Sequence, residues 1–302
     1  MSSNNPQISV VIPSYKHGHL IGRAIDSVIN QTYKNWEILI IDNFSTDNTK
    51  EVVTKYTLEY SNIKFIQINN NGIIAKSRNK GIKRSTGSYI AFLDSDDWWE
   101  LNKLSLCVEA INKGHKFIYH NSIIKKNYQD FNFLNKLIAS KPKKPLISNF
   151  LVHGVIIPNS SVVVCKDLLK EISYLSEDTI LAGVEDQHTW LRISLVTSKF
   201  YKIDKFLSYY WIDKNNFSKP STIQYEKLNR LHKNFFTHLK EEKINKASAL
   251  LAYKKGRVAM QIGEFQNGKN FFFESIRFNL TLKYFFKAIF FLFFCLVRKS
   301  ER

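Results

Sequence analysis

The residues that decide the fold are Tyr89-Ile90-Ala91-Phe92-Leu93-Asp94-Ser95-Asp96-Asp97-Trp98-Trp99. The first five form an apolar run typical of a buried strand, and the run stops at Asp94, Asp96 and Asp97. Ligands of open α/β sheets bind outside the carboxyl ends of the strands, which is where these acids stand. Closely spaced carboxylates repel one another unless they share a cation, and their oxygens select Mg²⁺ or Mn²⁺ that also bind substrate phosphates. The alternative is an acidic turn, because Asp and Ser are ordinary turn residues.

Three further strands precede this one, and helical patterns separate all four. Residues 8–12, 37–41 and 63–68 are short apolar runs, with apolar residues at helical spacing between them. This alternation predicts βαβ units and an α/β fold with a mostly parallel sheet. Two of the strands end in a carboxylate, Asp42 or Asp94, which predicts one nucleotide pocket at the carboxyl edge of the sheet. The sequence has neither GxGxxG after the first strand nor a P-loop, which argues against dinucleotide oxidoreductases and P-loop NTPases.

The composition restricts the class of protein. The 302 residues are 44% hydrophobic and 14% aromatic, which excludes disorder and suits one large domain or a catalytic domain with an appendage. The formal charge of +18 predicts an anionic partner: a nucleotide, a nucleic acid or the cytoplasmic membrane surface. Three cysteines without paired spacing argue against a zinc site and a disulfide framework. The first residues lack the regions of a signal peptide, so we expect a cytoplasmic protein.

The pattern changes after residue 100. Strands are predicted at 161–165 and 200–211, and a helix that opens with two acids is predicted at 185–196. From residue 222 onward the sequence is typical of helices, which predicts a helical C-terminal region.

Four segments resemble motifs of the inverting nucleotide-sugar glycosyltransferases of family 2, which have the GT-A fold. They are Val10-Val11-Ile12-Pro13-Ser14-Tyr15, Ile41-Asp42-Asn43-Phe44-Ser45-Thr46-Asp47, Arg78-Asn79-Lys80-Gly81 and Phe92-Leu93-Asp94-Ser95-Asp96-Asp97. Each is weak alone, but all four follow the family's order and spacing. Glu185-Asp186 with Trp190-Leu191-Arg192 is similar to the family's later acidic motif and extends the resemblance to roughly residue 220. The resemblance implies a Rossmann-like nucleotide half whose sheet is flanked by helices.

On the nucleotide side, the resemblance implies roles for four residues. Asp42 would accept a hydrogen bond from the base, and Pro13 and Tyr15 would shape the wall around it. Arg78 would lie near the diphosphate or the acidic loop. The alternative for Arg78 is a buried ion pair that fixes that loop.

On the metal side, the resemblance matches Asp94 and Asp96 to the DXD motif. These carboxylates would hold Mn²⁺ or Mg²⁺ on the diphosphate and help to orient the donor ribose or sugar. Ser95 and Asp97 would support the donor from the same loop.

The resemblance also implies a catalytic base. Asp186 matches the family position of the carboxylate that takes the proton of the acceptor hydroxyl, and its neighbour Glu185 is a support or an alternative base. Without the family, this pair would be two acids that favour a helix N-terminus.

The chain departs from the family in two places. Lys16 stands where the family often has Asn, and Tyr210-Trp211-Ile212-Asp213 stands where many relatives have Arg and His. The second segment usually closes over donor or acceptor, so the closing contacts and the choice of sugar stay open.

Residues 271–297 are dominated by phenylalanine. The uninterrupted apolar run 288–297 is too short to span a bilayer as a helix, but lysines and arginines flank it as in helices that lie in an anionic interface. We expect membrane association. The alternative is a helix that packs on the catalytic domain or in a dimer contact.

Together these features predict a metal-dependent, inverting hexosyl- or N-acetylhexosaminyltransferase. Residues 1–100 would be the nucleotide-sugar half, 101–220 the acceptor half and 221–302 a helical, membrane-associating region. We expect a nucleoside diphosphate sugar donor, UDP-linked, and a saccharide acceptor on a lipid carrier at the inner face of the cell membrane, in bacterial surface polysaccharide synthesis. The alternatives are a sugar-phosphate nucleotidyltransferase, which would have a glycine-rich loop near the first strand, and a basic nucleic-acid-binding protein.

Overall fold

The computed structural model describes residues 5–126, 135–212 and 221–300. In that part of the chain the strands are β1 (Ile8–Ser14), β2 (Trp36–Asp42), β3 (Ile63–Gln67), β4 (Tyr89–Phe92), β5 (Trp98–Trp99), β6 (Phe117–Lys125), β7 (Lys136–Leu137), β8 (Val163–Cys165) and β9 (Phe200–Trp211). The helices are α1 (Ile21–Ile29), α2 (Thr49–Glu59), α3 (Ile74–Arg84), α4 (Lys103–Asn112), α5 (Leu146–His153), α6 (Lys166–Glu171), α7 (Glu185–Val196), α8 (Ile223–Lys233), α9 (Glu241–Gln261), α10 (Phe265–Arg277) and α11 (Leu282–Ser300).

The chain packs as two compact units. Unit 1 comprises Met1–Lys141, Ile156–Glu177 and Lys199–Asn216, and unit 2 comprises Pro142–Val155, Asp178–Ser198 and Phe217–Arg302. Unit 1 contains the strands with α1–α4 and α6, and unit 2 contains α5 and α7–α11. The predicted division at 1–100, 101–220 and 221–302 assigns functions to parts of the chain, whereas the two units describe how the chain packs. The functional division stays a prediction.

The sheet of unit 1 has the order β3-β2-β1-β4-β8-β6-β9-β5, with β7 on β6. The first four strands are parallel, as the alternation with helices predicts. The rest of the sheet is mixed, because β8 runs antiparallel to both β4 and β6 while β6 and β9 are parallel. Apolar periodicity indicates that a strand exists but not its direction, so the mixed half was not predictable from the pattern.

The pairing register brings the carboxyl ends of three strands together. Ser14 at the end of β1 is opposite Asp42 at the end of β2, and Val11 is opposite Phe92 in β4. A fully buried core fixes this register, since a slip by one residue would turn alternate apolar side chains toward the wrong face. The loops that carry the acids therefore leave the same edge of the sheet, as predicted.

Unit 2 has its own core, built where α9, α10 and α11 pack together. The buried members of this cluster are Ala249, Leu250, Tyr253, Phe272, Leu280, Ala288 and Cys295. Gly256 of α9 permits the closest approach, because a side chain there would place its Cβ 2.7 Å from the ring of Phe272. The helical nature of the chain after residue 222 is confirmed.

The aromatic segment 271–297 is not one continuous element. It is divided between α10 and α11, and Asn279 in the connection has a φ of 60°, a left-handed conformation that Asn tolerates better than most residues. No helix among the described residues combines the length and the apolar character needed to cross a membrane.

Candidate active site

The acidic loop, residues 94–97, leaves β4 as a tight turn in unit 1. The amide of Asp97 donates to the carbonyl of Asp94 at 3.0 Å, which closes the turn. The amide of Asp94 donates to Ser160 Oγ at 3.1 Å, and the side chain of Asn159 donates to Asp94 Oδ1 at 3.0 Å. Sequence analysis did not identify Asn159 or Ser160, since they lie more than sixty residues downstream in a segment with no motif of its own.

The Arg78-Asn79-Lys80-Gly81 motif holds this loop from α3. The guanidinium of Arg78 is buried and donates to Asp94 Oδ1 at 2.7 Å. Asn79 exchanges hydrogen bonds with the backbone of Leu175, and Gly81 lies against Val11, whose Cγ1 would be 2.5 Å from an added Cβ. Of the two roles expected for Arg78, the structure therefore contains the ion pair that fixes the loop. Contact with a phosphate stays a prediction.

The carboxylates of the loop are crowded and enclosed. Burial and the charge of Asp94 raise the pKa of Asp96 to about 7, although Arg23 and Arg78 oppose the shift. Asp97 is almost fully buried and accepts a hydrogen bond from the amide of Trp211 at 2.9 Å. Burial and the neighbouring Asp96 and Asp94 raise the pKa of Asp97 well above its usual range. Placing so much negative charge here is costly without a cation.

The donor set fits a divalent cation that arrives with a diphosphate. Within residues 5–126, 135–212 and 221–300, no three His, Cys, Asp or Glu side chains are arranged to hold a metal ion by themselves. Mg²⁺ in nucleotide sites is usually bound by one or two carboxylates together with substrate phosphates rather than by an all-protein cage. Asp94 and Asp96 can supply that share of hard oxygen ligands.

The carboxylate of Asp42 at the end of β2 is held by its own loop. It is fully buried and accepts hydrogen bonds from the amide and hydroxyl of Ser45, and from Gln67 Nε2 at 3.1 Å. Ser45 Oγ also accepts from the amide of Lys16 at 2.8 Å, which ties this loop to the end of β1. Pro13 is buried and Tyr15 is about half exposed at the end of β1. Their role as the wall of a base pocket stays a prediction.

Arg23 of α1 also contacts the acidic loop, and sequence analysis did not identify it. Its guanidinium donates to the carbonyl of Asp96 at 2.6 Å. The same guanidinium lies 3.6 Å from the ring centroid of Trp98 and 4.7 Å from that of Trp211. Arg23 therefore links α1, β5 and the end of β9 to the loop through a hydrogen bond and two cation–π contacts.

Ser95, between the two DXD acids, turns inward. Its side chain is buried, and its hydroxyl forms a 2.7 Å hydrogen bond with His17 Nδ1. His17 lies in the segment that follows β1, so this contact connects the acidic loop with the predicted base wall. A role of Ser95 in donor binding stays a prediction.

In unit 2, Glu185 and Asp186 form the first turn of α7. Glu185 is buried, and its Oε2 accepts a hydrogen bond from the amide of Gly183 at 2.6 Å, just before the helix. Asp186 is less enclosed, and its Oδ1 accepts from the amide of Gln187 at 2.7 Å. The two neighbours therefore differ: Glu185 is buried and stabilises the turn that begins the helix, whereas Asp186 is partly exposed. Their roles as base and support stay predictions.

With this geometry described, comparison with known proteins identifies the family. Residues 9–171, more than half of the chain, match the model of glycosyl transferase family 2. The chain belongs to this family. A UDP-Glc:α-D-GlcNAc-diphosphoundecaprenol β-1,3-glucosyltransferase of Escherichia coli, WfgD, is 35% identical over 188 residues, which are 62% of this chain and 69% of WfgD.

Solved structures place this glycosyltransferase in the GT-A fold, as the sequence predicts. Staphylococcus aureus TarS, residues 1–349 in complex with UDP-GlcNAc, matches with a TM-score of 0.67 and 20% identity over 90% of this chain and 81% of that structure. The mannosyltransferase PcManGT of Pyrobaculum calidifontis, in complex with GDP-Man and Mn²⁺, matches with a TM-score of 0.60 and 15% identity over 97% of this chain and 86% of that structure.

The four motifs of unit 1 thus meet at one edge of its sheet, whereas the later acidic motif with Glu185 and Asp186 belongs to unit 2. The structure brings the acidic loop together with Arg78, and the end of β2 together with the end of β1. In the segment that departs from the family, Trp211 contacts Asp97 through its amide, while Asp213 lies outside the described residues. The sequence signal for the Trp211 contact is the pair Trp98-Trp99 directly after the acids. Two adjacent tryptophans favour aromatic or cationic neighbours in the fold.

Proposed function

We propose that this glycosyltransferase moves a hexosyl or N-acetylhexosaminyl group from a UDP-sugar to a hydroxyl of a lipid-linked saccharide, with inversion at the anomeric carbon. WfgD uses a UDP-sugar and an undecaprenol-linked acceptor, as its name states, and supports this choice of donor and acceptor. The biological setting would be bacterial surface polysaccharide synthesis, either lipopolysaccharide O-antigen or capsule.

The observation that carries the proposal is the acidic loop at the carboxyl edge of the sheet. Asp94 and Asp96 follow β4, and Asp42 is the last residue of β2, two strands away in the same sheet. A base bound beside Asp42 would place its diphosphate toward the acidic loop, since both loops leave the same edge of the sheet. Pro13 and Tyr15 would border the base, and Ser95 and Asp97 would support the loop from within.

The reaction would be a single displacement. The oxygen of the acceptor hydroxyl attacks the anomeric carbon, the bond from that carbon to the diphosphate oxygen breaks, and the electron pair leaves with UDP. Asp186 takes the hydroxyl proton, because its carboxylate is the less enclosed of the two acids that begin α7, with Glu185 in support. One displacement reverses the configuration, so an α-linked donor gives a β-linked product.

Asp94 and Asp96 would hold Mn²⁺ or Mg²⁺ on the donor diphosphate. When bound, the cation supplies charge neutralisation for the departing diphosphate. The residues of the chain fix the loop before the donor arrives: Arg78 through Asp94, and Arg23 through the carbonyl of Asp96. PcManGT, on the same fold, binds Mn²⁺ together with a nucleotide sugar.

The proposed acceptor supports a location at the inner face of the cell membrane. A saccharide on a lipid carrier stays at the bilayer, and the net charge of +18 favours an anionic membrane surface. We therefore propose peripheral association there, with no nucleic-acid partner.

The test is calorimetric titration of UDP with and without Mn²⁺, followed by a screen of UDP-sugars for metal-dependent transfer or hydrolysis. Asp96→Ala should lower the affinity for UDP about tenfold or more in Mn²⁺ and little in its absence, because it removes a ligand of the shared cation. The matched control is Asp167→Ala, which removes an exposed carboxylate of the same unit that forms a surface ion pair with Lys170.

Equal UDP affinity in wild type and Asp96→Ala under both conditions would contradict the proposed metal site. If UDP binds but no UDP-sugar is transferred or hydrolysed, the proposed nucleotide site stands and the proposed UDP-sugar donor is contradicted. Proton NMR of the product gives the anomeric coupling, and a retained configuration would rule out the single displacement.

A further inference from the structure

Helix α11 is apolar on both sides. One side packs in unit 2, where Ala288 and Cys295 are fully buried and the ring of Phe291 stacks on Phe272 at 5.8 Å between centroids. A helix that is apolar all round is normally enclosed on every side. In α11, however, the opposite side is covered by no part of the described chain.

The uncovered side forms a continuous stripe, which we call the exposed face of α11. Its side chains are 41% to 72% exposed, and they recur at intervals of three or four residues along the helix: Leu282, Phe286, Ile289, Phe290, Phe293, Leu296 and Val297. Single exposed apolar residues are ordinary, but a stripe that runs from Leu282 to Val297 along most of this nineteen-residue helix marks an interaction surface.

The charges of α11 indicate what covers this face. The helix has no acidic residue, and the exposed side chains of Lys283, Lys287 and Arg298 border the stripe. In a two-fold dimer through this face, antiparallel helices would bring the lysines of one copy to Arg298 of the other, and parallel helices would bring like residues together. In neither arrangement does α11 itself bring an acidic residue to Lys283 or Lys287, since Leu282–Ser300 contains none. A surface of anionic lipid phosphates complements the positive charge that borders the stripe.

We propose that the exposed face of α11 lies in the interface of an anionic bilayer, parallel to the membrane plane. The phenylalanines and aliphatic side chains enter the boundary between headgroups and acyl chains, and Lys283, Lys287 and Arg298 remain at the level of the phosphates. The buried side of the helix stays packed on α9 and α10, which prevents insertion across the bilayer. This inference rests on the proposed function only for the identity of the membrane.

Substitution is a sharper test than truncation, because α10 and α11 both contribute to the core of unit 2. The variant F286S/F290S/F293S changes three side chains of the exposed face and none of the core. In co-flotation with phosphatidylcholine–phosphatidylglycerol vesicles, it should lose about a hundredfold or more in partition coefficient relative to wild type.

The matched control is L58S/L101S/I138S, which removes three equally exposed apolar side chains of unit 1. It should partition as wild type does. A second variant, K283Q/K287Q, tests the charge: it should lose about tenfold or more on the anionic vesicles and little on pure phosphatidylcholine. High salt should weaken binding of wild type without abolishing it, since the apolar contribution is not screened.

Two results would overturn the inference. If wild type and the triple serine variant are equally absent from the vesicles, the exposed face does not bind membrane. If wild type is a dimer by sedimentation and the triple serine variant is a monomer, a second copy covers the face instead. Calorimetry with UDP on the same preparations separates this inference from the proposed function: if neither wild type nor the variants bind UDP while wild type still binds the vesicles, the proposed function fails and the membrane surface remains.

Discussion

The acidic loop and the exposed face of α11 both hold side chains in surroundings that disfavour them. In the loop, carboxylates are crowded and enclosed. They accept hydrogen bonds from the side chains of Arg78 and Asn159 and from the amide of Trp211. On α11, aromatic side chains face water, and the described chain provides no cover for them. The backbone of the loop is therefore held by contacts within unit 1 while its crowded carboxylates still favour a cation, whereas the exposed face of α11 is covered by no part of the described chain.

The acidic loop depends on contacts between distant residues, whereas the exposed face depends on the pattern along a single helix. The chemistry of the loop comes from residues distant in sequence that contact it at the end of one strand. The apolar stripe of the exposed face comes from one continuous helix. It can be recognised as an interaction surface only when the buried and exposed sides of α11 are known. Experiments on single side chains can test each half of the comparison.

The largest effect should come from removing the proposed proton acceptor while leaving the loop untouched. Asp186→Asn should retain UDP binding but lower the turnover number by about 10²–10⁴-fold, which is the usual contribution of general-base catalysis. Steady-state transfer assays with calorimetry of UDP measure both. Glu185→Gln is the companion variant: near-normal turnover in Asp186→Asn and none in Glu185→Gln would move the base one residue back.

The next effect separates the two sides of α11. Phe291 packs on Phe272, and the guanidinium of Arg257 lies 4.1 Å from its ring centroid, so Phe291→Ala should destabilise unit 2 by about 2 kcal/mol. Its neighbour Phe290 is on the exposed face, and Phe290→Ala should change the free energy of unfolding by less than about 0.5 kcal/mol. Urea unfolding followed by far-UV circular dichroism compares them, and equal losses would mean that the two faces are not distinct.

A smaller effect tests whether the loop is held in advance. Arg23→Lys keeps the charge but not the planar guanidinium that donates to the carbonyl of Asp96 and lies over Trp98. We expect UDP affinity in Mn²⁺ to fall about tenfold, with little change in its absence, because Arg23 acts through the loop. A general loss of stability would lower UDP affinity with and without the metal alike, and that result would make Arg23 merely structural.

Much of unit 1 was predictable from sequence because its signals are local. Strands β1 to β4 and their parallel order follow from apolar runs between helical patterns, and Asp42 and Asp94 mark their carboxyl ends. The contacts of Arg23 and Asn159 with the loop were not predictable, because each joins residues more than sixty apart. Nor could the phenylalanine-rich segment be divided into buried and exposed sides, since both sides are equally apolar in composition.

The smallest effect concerns a departure from the family that the backbone explains. Lys16 has a φ of 54°, a left-handed conformation that Asn adopts at lower cost than Lys, which accounts for the family's frequent Asn at this place. Lys16→Asn should therefore stabilise unit 1 by roughly 0.5 kcal/mol. Its amide, which donates to Ser45 Oγ, is retained.

Four of the five tryptophans (36, 98, 99 and 211) lie in unit 1, so urea unfolding followed by tryptophan fluorescence reports on that unit. The control is Lys34→Asn, at an exposed position without a positive φ, which should be neutral. A loss of stability in Lys16→Asn would instead mean that the side chain of Lys16, whose Nζ lies 5.3 Å from the ring centroid of Tyr15, stabilises the predicted wall of the base pocket.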